Sequence, residues 1–352
     1  MTSGRLTGVS WIVIGAVTAC GRGERPRAAA AVAPLAYVTN EVSQDLTVIS
    51  TASASVVSTI PLGARARGVK VSPDGRLVYV ALSGSPRCPP TMPDEECAKL
   101  PADKRKDGIA EIDVATHKVI RTLPGGSDPE QFDLSPDGSR LYVSNEDAGV
   151  ASILDLARGK LVVTVPVGTE PEGVAVSPDG KTVYVTAETD NVVTALDAGT
   201  GKELARVTVG RRPRDLAFSP DGSRLYVSAE VDGTVSVIDV PRHRVITVIK
   251  LRKGALPMGV RVAPDGKRVY VAGGRGGTVE VIDAETNSVV GSVKVGQRPW
   301  GIALTSDGRK LYTANGPSND VSVVDAEQLR VVATIPAGKN PWGVAIGPAF
   351  SP

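Results

Sequence analysis

Histidine is nearly absent from this 352-residue chain, which has only His117 and His243. That scarcity excludes zinc, copper and haem sites built on several imidazoles. Cysteine is almost as rare, with Cys20, Cys88 and Cys97 and no Cys-x-x-Cys-His run for covalent haem. Charge of one sign is also missing. Forty basic residues face 38 acidic ones, and a net charge of +2 is too small a basic excess for a dedicated nucleic-acid binder. There is no Walker-type Gly-x-x-x-x-Gly-Lys-Ser/Thr loop. No apolar run reaches the about 20 residues that a membrane-spanning helix needs. Helical periodicity is not sustained anywhere beyond the first 20 residues. What remains is ample for a core, since 41% of residues are hydrophobic.

The amino terminus differs from the rest. Residues 1–20 combine one early positive charge, Arg5, with an apolar stretch over 6–17 and a small-residue ending, the three-part pattern of a secretory signal. The ending Val17-Thr18-Ala19-Cys20 resembles a bacterial lipobox, which implies that Cys20 is acylated and becomes the mature N-terminus. An ordinary signal peptide with an incidental cysteine is the alternative. Residues 21–35 then read as a flexible tether. Export to the periplasm or cell envelope would leave Cys88 and Cys97 in an oxidising compartment, where an even pair reads as a disulfide. Closing so short a loop would add roughly 2–3 kcal/mol.

The rest of the chain is a repeat. All seven tyrosines fall in one pattern, at 37, 79, 142, 184, 226, 270 and 312, spaced by 42, 63, 42, 42, 44 and 42 residues. An aspartate follows most of them by 13 residues, as at Asp155, Asp197, Asp239, Asp283 and Asp325. A Ser-Pro-Asp-Gly turn or a close variant precedes six of them. Between these marks lie short β-branched runs broken by glycine-rich turns, so each unit reads as four antiparallel strands. The expected fold is all-β: a single seven-bladed β-propeller over 36–348, with an inserted loop at 83–108. The first unit lacks its first strand and Gly343–Ile346 supplies one, so the two termini are expected to share a blade and close the ring.

The Tyr-Val-Thr-Asn at 37–40 and its six variants resemble the YVTN family of propellers, a class similar to haem d1-type (cytochrome d1-like) and quinoprotein amine dehydrogenase-like propellers. Residues 123–138, the inserted loop, and 298–320 resemble more narrowly the exported propellers that accompany PQQ-dependent alcohol catabolism. That resemblance implies a companion role beside a periplasmic oxidation system.

The repeat also assigns faces. The residue preceding each first strand should ring one mouth of the central channel: Arg67, Glu130, Glu172, Arg214, Met258, Trp300 and Trp342. Two residues earlier stand Arg65, Asp128, Glu170, Arg212, Leu256, Arg298 and Asn340, and second-to-third-strand loops add Glu41, Glu146, Glu188 and Glu230. A concave site with an aromatic wall and converging charge is the default ligand site, here Arg67, Glu130, Glu172, Arg212, Arg214, Arg298, Trp300 and Trp342. The bland readings are ordinary salt bridges for Arg67 and Arg214, solvated loop charge for the glutamates, and a covered rim for the tryptophans. The insertion opens on the same face and reads as a lid, a partner contact or a tolerated surface loop. His117 and His243 share one repeat position on the opposite face in non-adjacent blades, so they cannot share a metal or a proton-transfer task.

These features favour a non-catalytic, lipid-anchored monomer that holds a small ligand or a periplasmic protein at its funnel, with no metal and no cofactor. The alternative is a lactonase-like hydrolase that uses Glu and Arg instead of His. It requires a carboxylate of raised pKa near Arg67 or Arg214. A purely structural envelope protein is the third reading. The anchor is testable directly: Cys20→Ser should move the protein from the membrane fraction to the soluble fraction, read by immunoblot after fractionation.

Overall fold

The computed structural model describes residues 34–87, 92–97 and 99–348, with isolated positions near the amino terminus. Cys20, Cys88 and the side chain of Cys97 lie outside the described residues, as do the signal and nearly all of the tether. Among the described residues no helix is long and apolar enough to cross a membrane.

Seven four-stranded antiparallel sheets follow one another around a central channel. The blade at Pro171–Thr208 shows how local sequence builds each one. Its innermost strand, Pro171–Val176, ends in Ser177-Pro178-Asp179-Gly180. Asp179 Oδ1 accepts from Ser177 Oγ at 2.6 Å and Lys181 N at 3.1 Å, and Gly180 takes φ +71° to reverse the chain. The second and third strands, Thr182–Ala187 and Val192–Asp197, are buried almost throughout. Asp197 closes the next hairpin by accepting from Thr200 N at 2.8 Å. The outer strand, Glu203–Thr208, is mostly exposed. The repeated aspartate is therefore a turn-builder. The repeated tyrosine packs between blades: Tyr142 donates to Ala198 O of the next blade at 2.9 Å.

The closing blade carries strand order Pro341–Ile346, Leu35–Asn40, Asp45–Ser50, Ser55–Pro61, so the carboxyl-terminal strand is innermost and pairs with the amino-terminal one. The 63-residue unit keeps its four strands, Arg65–Val71, Leu77–Ser83, Gly108–Asp113 and Lys118–Leu123, and its excess falls wholly in the loop between the second and third.

The innermost strands approach one another closely. Five of them carry glycine immediately after the mouth residue, and a Cβ at Gly68, Gly173, Gly259, Gly301 or Gly343 would stand 2.6–2.8 Å from the backbone oxygen of the next blade's mouth residue. Hydroxyls join three boundaries, among them the two without glycine: Thr39 Oγ1 donates to Arg67 O, Ser144 Oγ to Glu172 O and Ser228 Oγ to Met258 O, each at 2.6 Å. Gly301→Ala places its methyl 2.6 Å from Trp342 O and 2.8 Å from Val344 N. It should cost about 1–3 kcal/mol, as overpacked sites do, measured by urea denaturation. An unchanged midpoint would mean that the ring can widen.

Candidate functional site

Each mouth residue sits at the start of an innermost strand, where the strand leaves the loop face. Arg214, in strand Pro213–Phe218, is buried among three carboxylates. Its Nη1 is 2.6 Å from Glu172 Oε2 and also reaches Glu188. Its Nε and Nη2 lie 2.8 and 2.7 Å from Glu230 Oε2. On the other side of Glu172's blade, Arg67 pairs with Glu130 and, at 2.7 Å, with Glu146. Arg65 lies 3.6 Å from Glu41 and 3.7 Å from Asp128. Glu41, Glu188 and Glu230 are buried and Glu146 is partly so, which excludes solvated loop charge for this set.

The electrostatics follow from that burial. Desolvation alone would depress Arg67 and Arg214, but their carboxylate neighbours outweigh it and raise both. Burial works against the charged forms of Glu146 and Glu230 as well; Arg67 and Arg65 beside the first, and Arg214 and Arg212 beside the second, nevertheless hold both below the ordinary range. Glu172 behaves oppositely. Burial, and then the neighbouring Glu188, push its carboxyl well above the ordinary range in spite of Arg214. This is the carboxylate that the hydrolase reading requires.

The two tryptophans form one wall. Trp300 and Trp342 stack with ring centroids 5.6 Å apart at 26°. The guanidinium carbons of Arg298 and Arg214 lie 5.0 and 5.3 Å from the Trp300 ring centre, within cation–π range. The Arg298 side chain has no hydrogen-bond or ion-pair partner among the described residues, and its buried Nε is unpaired. Burial, with Arg275, Arg214 and Arg87 nearby, lowers its pKa despite Glu230. It is a positive charge with no acceptor of its own.

A narrow cleft, open at its mouth, lies against this wall. Of the sequence-predicted site residues, Glu172, Arg214, Trp300 and Trp342 line it. Arg67 and Glu130 form a neighbouring buried pair outside the lining, and the half-exposed Arg212 stands at the rim, 2.7 Å from Glu188. Sequence reasoning missed Gln131, Asp215 and Arg261, which also line the cleft. The signal was available: Gln131 and Asp215 occupy the repeat position that is glycine in the five other blades. Among the described residues there is no cluster of metal-ligating side chains.

The inserted loop is tied to the mouth at both ends. Arg87 Nε lies 3.1 Å from Glu41 Oε2, Pro86 O accepts from Arg65 Nη1 at 3.0 Å, and Lys104 pairs with Asp147 of the following blade. The Cys88–Cys97 pair falls outside the described residues. His243 is occupied on the far face by Tyr184, whose hydroxyl lies 2.6 Å from its Nδ1.

A family model described as "Lactonase, 7-bladed beta-propeller" matches residues 14–165 and 169–334. No curated protein matches the chain. Similar solved structures include hydrazine synthase from Kuenenia stuttgartiensis, at 22% identity and a TM-score of 0.67 over 79% of this chain and 88% of that one. A functionally unknown protein from Desulfotomaculum acetoxidans matches at 19% identity and a TM-score of 0.72, over 89% and 98% of the two chains. A protein from Bacteroides uniformis, provisionally named a 6-phosphogluconolactonase, matches at 18% and 0.71, over 89% and 99%. At these identities the structures speak to fold alone. The family match overturns the expectation of a non-catalytic binding or scaffold propeller beside PQQ-dependent alcohol oxidation, and favours the lactonase-like alternative. That expectation rested on the funnel's composition, the inserted loop and the PQQ-associated resemblance; a buried carboxylate beside arginine can do acid–base work in the same funnel. The narrower resemblance to YVTN, PQQ-associated and cytochrome d1-like propellers gains no support from these matches.

Glu172→Gln tests the electrostatics. A carboxyl raised above its ordinary value of 4.5 binds more protons in the folded than in the unfolded state. It therefore subtracts stability increasingly as pH rises from the unfolded value through the folded one. The stability of Glu172→Gln relative to wild type should climb between pH 4 and 8 in urea titrations; a flat difference would mean that Arg214 keeps Glu172 ionised.

Proposed function

The chain belongs to the seven-bladed β-propeller lactonase family, and from that membership we propose that it is a hydrolase that opens a lactone ring at the channel mouth. The observation that carries this reading is Glu172: a buried carboxyl of raised pKa, 2.6 Å from Arg214, beside an open cleft. A carboxyl with its pKa moved toward neutrality is suited to general acid–base work.

In this reading the Glu172 carboxylate takes a proton from a water molecule, and the water oxygen attacks the lactone carbonyl carbon. The tetrahedral oxyanion collapses, the ring C–O bond breaks, and the leaving alkoxide recovers the proton from Glu172. Arg214 is engaged by Glu172, Glu188 and Glu230, so its role is to hold and tune Glu172. Arg298 has no acceptor of its own and stabilises negative charge that the substrate carries or develops. The Trp300–Trp342 stack forms the apolar wall. The reaction as drawn needs no cofactor or second subunit.

Export and a lipid anchor at Cys20 belong to the same proposal. The tether enters the propeller at Leu35, at the opposite end of its strand from Glu41 and the mouth. An anchor on that side would leave the mouth facing away from the membrane, open to a soluble substrate.

The test is hydrolysis of δ-gluconolactone, its 6-phosphate and δ-valerolactone by the purified full-length protein, followed as acid release. With Glu172 as base, kcat/KM should rise with pH through its elevated pKa, and Glu172→Gln should lower kcat by about 10²–10⁴. Arg298→Ala should weaken turnover of the phosphorylated lactone most. No hydrolysis of any lactone by wild type would refute the proposal.

A further inference from the structure

Seven innermost strands present one residue each at the level just below the mouth. Five are glycine, for the steric reason given above: a Cβ would meet the next blade's backbone oxygen at 2.6–2.8 Å. Gln131 and Asp215 are the exceptions. Asp215 is fully used by the fold. Its Oδ1 accepts from Leu216 N at 2.9 Å, and its Oδ2 from Val260 N at 3.0 Å and Arg261 Nη1 at 2.7 Å, which joins two blades.

Gln131 has no such duty. Its backbone N–H and C=O meet Ser144 Oγ at 3.1 and 3.0 Å, but its side-chain amide has no partner among the described residues. Glu172, Arg214, Asp215 and Arg261, the charged side chains lining the same cleft, are all paired. The Gln131 side chain lies alongside Gly68, where a Cβ would meet its Oε1 at 3.1 Å, so it occupies space that the glycine leaves free. Through Ser144, whose Oγ also donates to Glu172 O at 2.6 Å, the Gln131 backbone is fixed to the strand that carries Glu172. The free amide thus projects into the cleft that Glu172 also lines, from a backbone fixed to the Glu172 strand.

We propose that Gln131 is a specificity-determining residue, whose amide hydrogen-bonds a hydroxyl of the ligand that Glu172 acts upon. This inference rests on the lactone-hydrolase reading for its reaction and on the cleft geometry for its residue. An amide offers two donors and an acceptor, a match for a hydroxyl that must both give and receive. A group placed this way discriminates against analogues that lack the hydroxyl, because they leave it unpaired in the cleft.

The experiment compares wild type with Gln131→Leu, which keeps the approximate volume and removes the amide, after their thermal midpoints are matched. Two readouts are used: kcat/KM on δ-gluconolactone and on hydroxyl-free δ-valerolactone, and calorimetric binding of gluconate. The expected result is a loss of about tenfold on δ-gluconolactone, the worth of one neutral hydrogen bond, with δ-valerolactone unchanged and gluconate binding weakened in parallel. Equal losses on both lactones, or no loss on either, would overturn the assignment. If wild type hydrolyses neither lactone but Gln131→Leu weakens gluconate binding, Gln131 stands as a ligand residue and the hydrolase reading falls. If wild type neither hydrolyses nor binds these compounds, both fall.

Discussion

The close lateral approach of seven innermost strands is the constraint from which the rest of this structure follows. Glycine at five of the seven boundaries lets neighbouring backbones come within contact distance. Threonine and serine hydroxyls cross three of the seven, including the two that lack glycine. A ring that tight brings the first residues of non-adjacent strands into one funnel. It also takes them out of water, so side chains that would be ordinary surface charges on an open sheet become interior ones.

That burial governs the chemistry. Arg214 has three carboxylates around it and Arg67 two in close contact, all but Arg214–Glu230 crossing blade boundaries. Ion clusters of this kind repay their desolvation only partly and are weak contributors to stability. Their clearer consequence is a spread of proton affinities. Within one cluster Glu230 is held low and Glu172 is pushed high, because arginine contacts outweigh burial at the first and not at the second. Paired groups whose environments drive their pKa values apart mark acid–base sites. The same crowding sets the Arg298 guanidinium against an indole face with Arg275, Arg214 and Arg87 nearby, their charges opposed by Glu230.

The inserted loop illustrates how a closed ring accepts additional chain. Its ends rejoin the second and third strands of one blade without altering their pairing, from Leu77–Ser83 to Gly108–Asp113. Its described side chains reach both ways along the rim, Arg87 to Glu41 and Lys104 to Asp147.

The tyrosine spacing, the Pro-Asp-Gly turns and the split first unit determined the blade number, the strand count, the shared closing blade and the face on which each loop opens. They could do so because a fixed period with fixed turns leaves a strand no other place in the ring. By the same logic Trp300 and Trp342 were legible as neighbours at the mouth, and His117 and His243 as distant from it. Tertiary structure alone decided which arginine meets which carboxylate, that Glu172 rather than Glu230 resists ionisation, that Arg298 has no acceptor, and that the Gln131 amide is free. Those properties depend on differences of an ångström or two across blade boundaries and on how completely water is excluded there. Every mouth position looks equivalent in the repeat, and packing makes them different.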